Sequence, residues 1–201
     1  EVGPPVGGDH LPIWVELSNS GFDLQAEVQV QVVSASTMVF TTPVELPAGA
    51  RKRLPIYILP NNFSRQVVVE LVSQGDLLAS YRISLSPQPA ITYMIGVLNP
   101  DRGALALLET IQLPGQRRPV KIVDLNLSEL PEQYEGLRSL DLIIINRTDT
   151  SSMTPAQSHA LETWVRQGGR LVLGGGVDAA NTLSGLEFSP ISSSDLSVEE
   201  I

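Results

Sequence analysis

Cysteine is absent from this chain of 201 residues. That absence removes disulfides, thiolate metal sites and cysteine nucleophiles together, without deciding the compartment. Cations are scarce too: 13 Lys and Arg stand against 22 Asp and Glu, a formal charge of -9. Nucleic acid and anionic membrane surfaces both require clustered positive charge, so neither is an expected partner. The dense basic groups, Arg51-Lys52-Arg53 and Arg117-Arg118, are too short to form a tract and read as solvated loops. No apolar run reaches the ~18–20 residues of a membrane span, and no signal-peptide pattern is visible. The chain opens on Glu1 rather than Met, which reads as an excised or processed piece.

What is present is an ordinary globular composition, 42% apolar and 17% charged. The length admits one large domain or two small ones, at ~100–150 residues for a typical domain. Residues 1–88 read as all-β. After a Gly/Pro-rich lead-in (Glu1 to Asp9) comes a short strand at Ile13 to Leu17, closed by Asn19-Ser20-Gly21. From Ala26 to Val33, Ala26, Val28, Val30 and Val32 alternate with Glu27, Gln29 and Gln31, the period of a strand with one wet face. Further strands are expected at Thr37 to Thr41, Arg53 to Leu59, Gln66 to Val72 and Leu77 to Leu85. Their turns are Pro47-Ala48-Gly49, Pro60-Asn61-Asn62 and Gln74-Gly75-Asp76. Short alternating strands with frequent turns point to a β-sandwich. Trp14 is expected in its core or as an inter-domain anchor, and His10 at the surface. Pro87-Gln88-Pro89 is a stiff linker, and periodicity changes after it.

Residues 91–201 alternate strand and helix. Strands are expected at Ile91 to Leu98, Val120 to Leu125, Leu140 to Ile145 and Arg170 to Leu173. The continuous apolar run Leu142 to Ile145 fits a parallel strand buried on both faces. Asn99-Pro100 reads as an N-cap and first helical position, opening a well-covered helix from Asp101 to Gln112 that ends at Leu113-Pro114-Gly115. Leu130 to Gly136 makes a helical turn stopped by glycine. Thr154-Pro155-Ala156-Gln157 is a capping box. In the helix it opens, Ala156, Ala160, Leu161, Trp164 and Val165 share one face. His159, Glu162 and Arg166 share the other, with Glu162 and Arg166 spaced to pair. Gly168-Gly169 closes it. The expected sheet is parallel, and four strands before the Ser-rich tail (Ser189 to Ile201) predict that the native protein continues. Sequons at Asn62, Asn126 and Asn146 are short enough to arise by chance.

Glu45 to Ile56 resembles the stretch before a late strand in bacterial immunoglobulin-like or fibronectin-III-like modules. The runs Leu130-Pro131…Gly136-Leu137…Leu140 to Ile145 and Ala160-Leu161-Glu-Thr-Trp-Val-Arg-Gln-Gly-Gly-Arg-Leu-Val-Leu-Gly-Gly-Gly resemble the class I glutamine amidotransferase-like superfamily. More narrowly, the chain is similar to uncharacterised bacterial envelope proteins that join a β-sandwich to such a domain. The resemblance implies a flavodoxin-like α/β domain over residues 91–201, incomplete at its C-terminus, after an immunoglobulin-like sandwich. It also implies a cysteine nucleophile at the turn after the last strand, with a histidine and an acid later. Here that turn is Gly174-Gly175-Gly176, and no histidine follows His159. No catalytic residue carries over.

The strand ends still gather polar residues. Asn99, Asp101, Asn146, Asp149, Asp178 and the glycines Gly174, Gly175 and Gly176 converge where such folds bind ligands, with Asp124 and Asn126 nearby. Carboxylates there are hard ligands for Mg²⁺, and a glycine loop offers amides to an anion. Strand ends and caps select the same residues for backbone reasons alone. The leading expectation is therefore a non-catalytic interaction or scaffold region of a larger, membrane-anchored, extracytoplasmic bacterial protein. It would have protein partners, no cofactor and no bound metal. The alternative is a small-ligand or Mg-dependent enzyme or binding domain using the Asp/Gly rim.

Overall fold

The computed structural model describes residues 10–34, 36–60, 63–110 and 118–188. The lead-in, Asn61-Asn62, the end of the expected helix with Leu113-Pro114-Gly115, Arg117 and the Ser-rich tail lie outside the described residues. The chain divides into two compact units, Glu1–Ala90 and Ile91–Ile201.

Among its described residues the first unit holds six antiparallel strands: β1 (Leu11–Ser18), β2 (Leu24–Val33), β3 (Met38–Leu46), β4 (Arg51–Ile58), β5 (Gln66–Ser73) and β6 (Asp76–Ser84). They form a two-stranded sheet, β1-β4, and a four-stranded sheet, β3-β2-β5-β6. One apolar cluster joins the two sheets: Leu11, Ile13 and Val15 of β1, Val28, Val30 and Val32 of β2, Ile56 and Ile58 of β4, and Val67 of β5. The alternation in β2 is the reason, since Val28, Val30 and Val32 are fully covered while the intervening Glu27, Gln29 and Gln31 turn away from the core. Gln74 and Gly75 both take positive φ (51° and 92°), closing β5 onto β6 in the two-residue turn that a right-handed strand twist favours.

Parity corrects one expectation about this unit. Ile13 and Val15 point inward, so Trp14 between them faces out, half-buried, with the Arg53 guanidinium 4.6 Å from its ring centroid. It is not a member of the core cluster. Arg51-Lys52-Arg53 is not a loop either. It opens β4, pairing with Ser18, Leu17 and Glu16 of β1, and Arg53 reaches the Glu16 carboxylate at 3.4 Å. Strand alternation exposes these side chains without any loop. His10 is half-buried, and its Nδ1 is covered without a hydrogen-bond partner among the described residues.

The second unit is built on a parallel sheet of β7 (Tyr93–Leu98), β8 (Val120–Asp124), β9 (Leu142–Ile145) and β10 (Arg170–Leu173), in the order β10-β9-β7-β8. β7 is central and buried on both faces from Met94 to Leu98. β9 differs from its expected double burial: Ile143 and Ile145 are fully covered, Leu142 and Ile144 only half.

The helix α1 (Pro155–Arg166) has the expected capping box. Thr154 Oγ1 accepts from Gln157 N at 3.1 Å, and Gln157 Oε1 accepts from Thr154 N at 2.9 Å. Its buried stripe is Gln157, Ala160, Leu161 and Trp164; Gln157 takes the place expected for Ala156, which is exposed. The buried amide donates to the carbonyls of Leu127 and Leu130, which a bare apolar helix face would leave unpaired. Thr154→Ala is expected to lower stability by about 1 kcal/mol, read as a shift of the urea midpoint at unchanged slope. Thr154→Ser should recover most of that loss. His159 is exposed, and Arg166 pairs with Glu162 at 2.8 Å. Gly168 closes the helix at φ 102°. Gly169 has a different reason to be glycine, because a Cβ there would enter the Trp164 ring.

The helix expected from Asp101 to Gln112 is absent over its described part. Turns lead instead to a 3-10 segment, Ala106–Thr110, with no buried residue and with Leu107 78% exposed. Asn99 Oδ1 accepts from Asp101 N two residues on, which makes a turn rather than a cap, and Gly103 at φ 75° breaks helical continuity. Glu109 ties the segment to β8, accepting from Ile122 N and Lys121 Nζ, both at 2.9 Å; these two bonds, the backbone one foremost, hold its carboxyl below the usual range. Gly136 lies inside a 3-10 turn, Tyr134–Leu137, rather than ending one. The last helix, α2 (Ala179–Leu183), is short.

Candidate functional site

The carboxyl ends of β7 and β9 are where the strand order reverses, since β8 follows β7 on one side and β9 lies on the other. Leu98 O accepts from Asn146 N at 2.9 Å, and Ile145 O accepts from Gly174 N at 2.8 Å, so three strand ends are stitched into one rim.

Arg147 stands at its centre. Its backbone takes a left-handed φ of 54°, an uncommon conformation for a residue with a side chain. Its guanidinium reaches Asp101 Oδ2 at 3.0 Å and Asp178 Oδ2 at 3.4 Å, bridging the loop after β7 to the loop after β10. The Asp101 and Asp178 carboxylates named from the sequence are therefore brought together, but around a cation belonging to the chain. Both pairs are exposed, where each contributes about 0–1 kcal/mol.

The other rim residues serve the backbone. Asn99 closes the turn to Asp101. Asp149 Oδ1 accepts from Ser151 N at 2.9 Å and caps the 3-10 turn Thr150–Ser152. Hydrogen bonds from Ser151, with a weaker one from Ser184, hold its carboxyl below the usual range. The Asn146 side chain lies against Gly174, where any Cβ would collide with it. Gly174 is thus glycine for close approach, while Gly175 meets nothing and Gly176 sits at φ 87°. Asp124 accepts weakly from Gly103 N at 3.4 Å, and Asn126 caps the turn Leu127–Glu129. Among the described residues, no group of three or more His, Asp or Glu side chains gathers at metal-binding distance. No described helix is long and apolar enough to cross a membrane.

Reading along the sequence missed Arg147. The available signal was a lone cation directly after a strand, in a rim otherwise made of Asp, Asn and Gly.

Residues 6–86 match the model of a domain of unknown function, DUF8726, which is less than half of the chain and lies within the first unit. No curated protein matches the chain. An alkylpurine DNA glycosylase from Pseudomonas fluorescens, bound to DNA containing an abasic site analogue, is similar over 42% of this chain and 28% of its own, at 19% identity and TM-score 0.31. A calcium-binding mutant of Bacteroides uniformis beta-glucuronidase 2 is similar over 87% of this chain and 22% of its own, at 11% identity and TM-score 0.35. A beta-glucuronidase of glycoside hydrolase family 2 gives 92%, 22%, 11% and 0.37 in the same order. The chain spans 22% to 28% of these proteins' lengths, and similarity of this size transfers neither fold nor activity.

Proposed function

We propose that this chain is a non-catalytic interaction or scaffold region of a larger bacterial cell-envelope protein. It would join an immunoglobulin-like sandwich to a flavodoxin-type, amidotransferase-like domain that lacks a nucleophile. The strand order β8-β7-β9-β10 supports the flavodoxin-type reading, because it reproduces the first four places of that topology. The single apolar cluster shared by two antiparallel sheets supports the sandwich.

The observation that carries the functional reading is the Arg147 bridge. A rim that binds a metal or an anion keeps its charges available to the ligand. Here Asp101 and Asp178 share one cation, Arg147, Asp149 caps its own turn, and Asn146 packs on Gly174. The Arg147 contacts link the loops after β7, β9 and β10, an arrangement suited to presenting a face to another protein.

Calorimetric titration with millimolar Mg²⁺, Mn²⁺ and inorganic phosphate is expected to give no saturable heat. Saturable metal binding abolished by Asp101→Ala with Asp178→Ala, or phosphate binding abolished by Arg147→Ala, would overturn the reading in favour of a ligand site. Fractionation of the intact native protein tests the envelope assignment, and recovery in the cytosol would overturn that part.

A further inference from the structure

The sequence holds sequons at Asn62, Asn126 and Asn146, and the fold treats them differently. Asn62 lies outside the described residues. Asn146 belongs to the rim: its side chain is half-buried and lies against Gly174. The Thr148 hydroxyl of that sequon donates to the carbonyls of Leu98 and Asn146, at 3.1 and 3.2 Å. Its amide is packed and its hydroxyl is committed to the backbone.

Asn126 is arranged otherwise. It follows β8, in extended backbone at φ -113° and ψ 130°, just before the 3-10 turn Leu127–Glu129. Its Oδ1 accepts from Ser128 N at 3.2 Å and from the Ser128 hydroxyl at 3.0 Å, an Asx turn that brings the two polar groups of the sequon together. Its Nδ2 donates to nothing among the described residues. Behind the loop, Gln157 Nε2 of α1 donates to the carbonyls of Leu127 and Leu130, and Leu130 is buried. Exposure alternates along the stretch: Asp124, Asn126 and Ser128 are exposed, while Leu125 and Leu127 are half-buried. An acid, an amide and a hydroxyl thus stand on one open side of a loop that is held from within.

We propose that Asn126 is an N-glycosylation site, taking its glycan from a lipid-linked oligosaccharyl pyrophosphate. In that transfer Nδ2 forms a bond to the anomeric carbon of the sugar, and the bond from that carbon to the pyrophosphate oxygen breaks. The lipid pyrophosphate leaves with the electron pair, and Nδ2 gives up one proton, so the product is a neutral secondary amide. The two donations to Oδ1 make the Nδ2 protons more acidic and ease that loss. Asp124 offers a carboxylate to a basic side chain of the transferase. The site rests on the extracytoplasmic part of the function proposed above, because the lipid-linked donor is spent on exported chains.

The test supplies transferase and donor in solution, so localisation does not enter it. The folded chain is incubated with a detergent-solubilised bacterial oligosaccharyltransferase and a polyprenyl-pyrophosphate oligosaccharide, then digested for mass spectrometry. The peptide that carries Asn126 is expected to gain one glycan, and the peptide that carries Asn146 none. Asn126→Gln and Ser128→Ala should each abolish the gain, Ser128→Thr should retain it, and Asp124→Ala should slow it about tenfold. Circular dichroism verifies the fold of each variant, since all three side chains are exposed. An unmodified folded chain overturns the proposal, and equal modification of Asn146 in the folded chain does so too. Fractionation of the native protein separates this from the envelope reading. Failed transfer to an exported protein overturns the glycosylation site alone. Successful transfer to a protein recovered in the cytosol overturns the envelope reading and, with it, the use of the site.

Discussion

Trp164→Ala is expected to destabilise the second unit by about 3–5 kcal/mol, the range for removing a large aromatic side chain from a packed interior. The ring is 4% exposed and lies on the buried stripe of α1 with Ala160 and Leu161. Gly169 fits beneath it without a side chain, and Gly169 N donates to Trp164 O at 3.0 Å. The Gly169 side of the space is backbone with no side chain to move into it, so the truncation leaves a void there. The chain contains two tryptophans, Trp14 in the first unit and Trp164 in the second. In the variant, fluorescence reports on the first unit alone. The expected urea profile has an unchanged Trp14 transition and an earlier circular-dichroism transition. A loss below about 1 kcal/mol would show that the ring is not the packing centre of α1.

Val30→Asp is expected to abolish folding of the first unit at neutral pH. Val30 is fully covered at the middle of β2, opposite Phe40 of β3 and Val69 of β5. A carboxylate there has no partner, and burying an unpaired charge costs several kcal/mol, comparable with the entire stability of a small domain. Burial raises the carboxyl pKa in the folded state above its unfolded value, so the fold binds the proton more tightly than the coil does. The stability that protonation allows is present at low pH and is lost as pH rises through the unfolded pKa and beyond. The Trp14 transition should therefore be absent near pH 7 and partly recovered near pH 4. Val30→Ala, which leaves a void but no charge, should fold at both. A normal transition for Val30→Asp at pH 7 would mean that β2 is not at the centre of that core.

The features legible along the sequence are those set by near neighbours. The period of two in β2 and the Thr154 to Gln157 capping box each depend on residues within a few positions, and both are present in the structure. The failures are of another kind. From Ala104 to Leu108 the apolar composition resembles a covered helix, but coverage needs an element packed over its apolar side chains, and the 3-10 segment, tied to β8 at Glu109, buries none of its residues. Residue type alone points Trp14 to the core or to an inter-domain anchor, whereas alternation with Ile13 and Val15 turns it away from the core cluster. Arg51-Lys52-Arg53 reads as a loop because of its charge, yet an exposed strand end accepts charge equally well. Arg147 needs three loops, far apart in sequence, to meet before its partners exist. The eight rim residues follow the strands β7, β9 and β10 in the chain. What their side chains do there depends on contacts that no local pattern encodes.

The central position of β7 in its sheet has a consequence for synthesis on the ribosome. The first unit has all of its strands once residue 84 has emerged, so its sheets can close while the rest is still being made. The second unit cannot close early. β7 is its first strand to emerge and needs both neighbours: β8 begins at Val120 and β9 at Leu142. Until they arrive, Met94 to Leu98 is a bare apolar segment with two open hydrogen-bonding edges. Parallel pairing is slow, because a long connection must close before any contact forms. The vulnerable moment in the life of this chain therefore falls between the emergence of β7 and that of β9. Recovery of soluble protein should depend on how fast the ribosome crosses that interval.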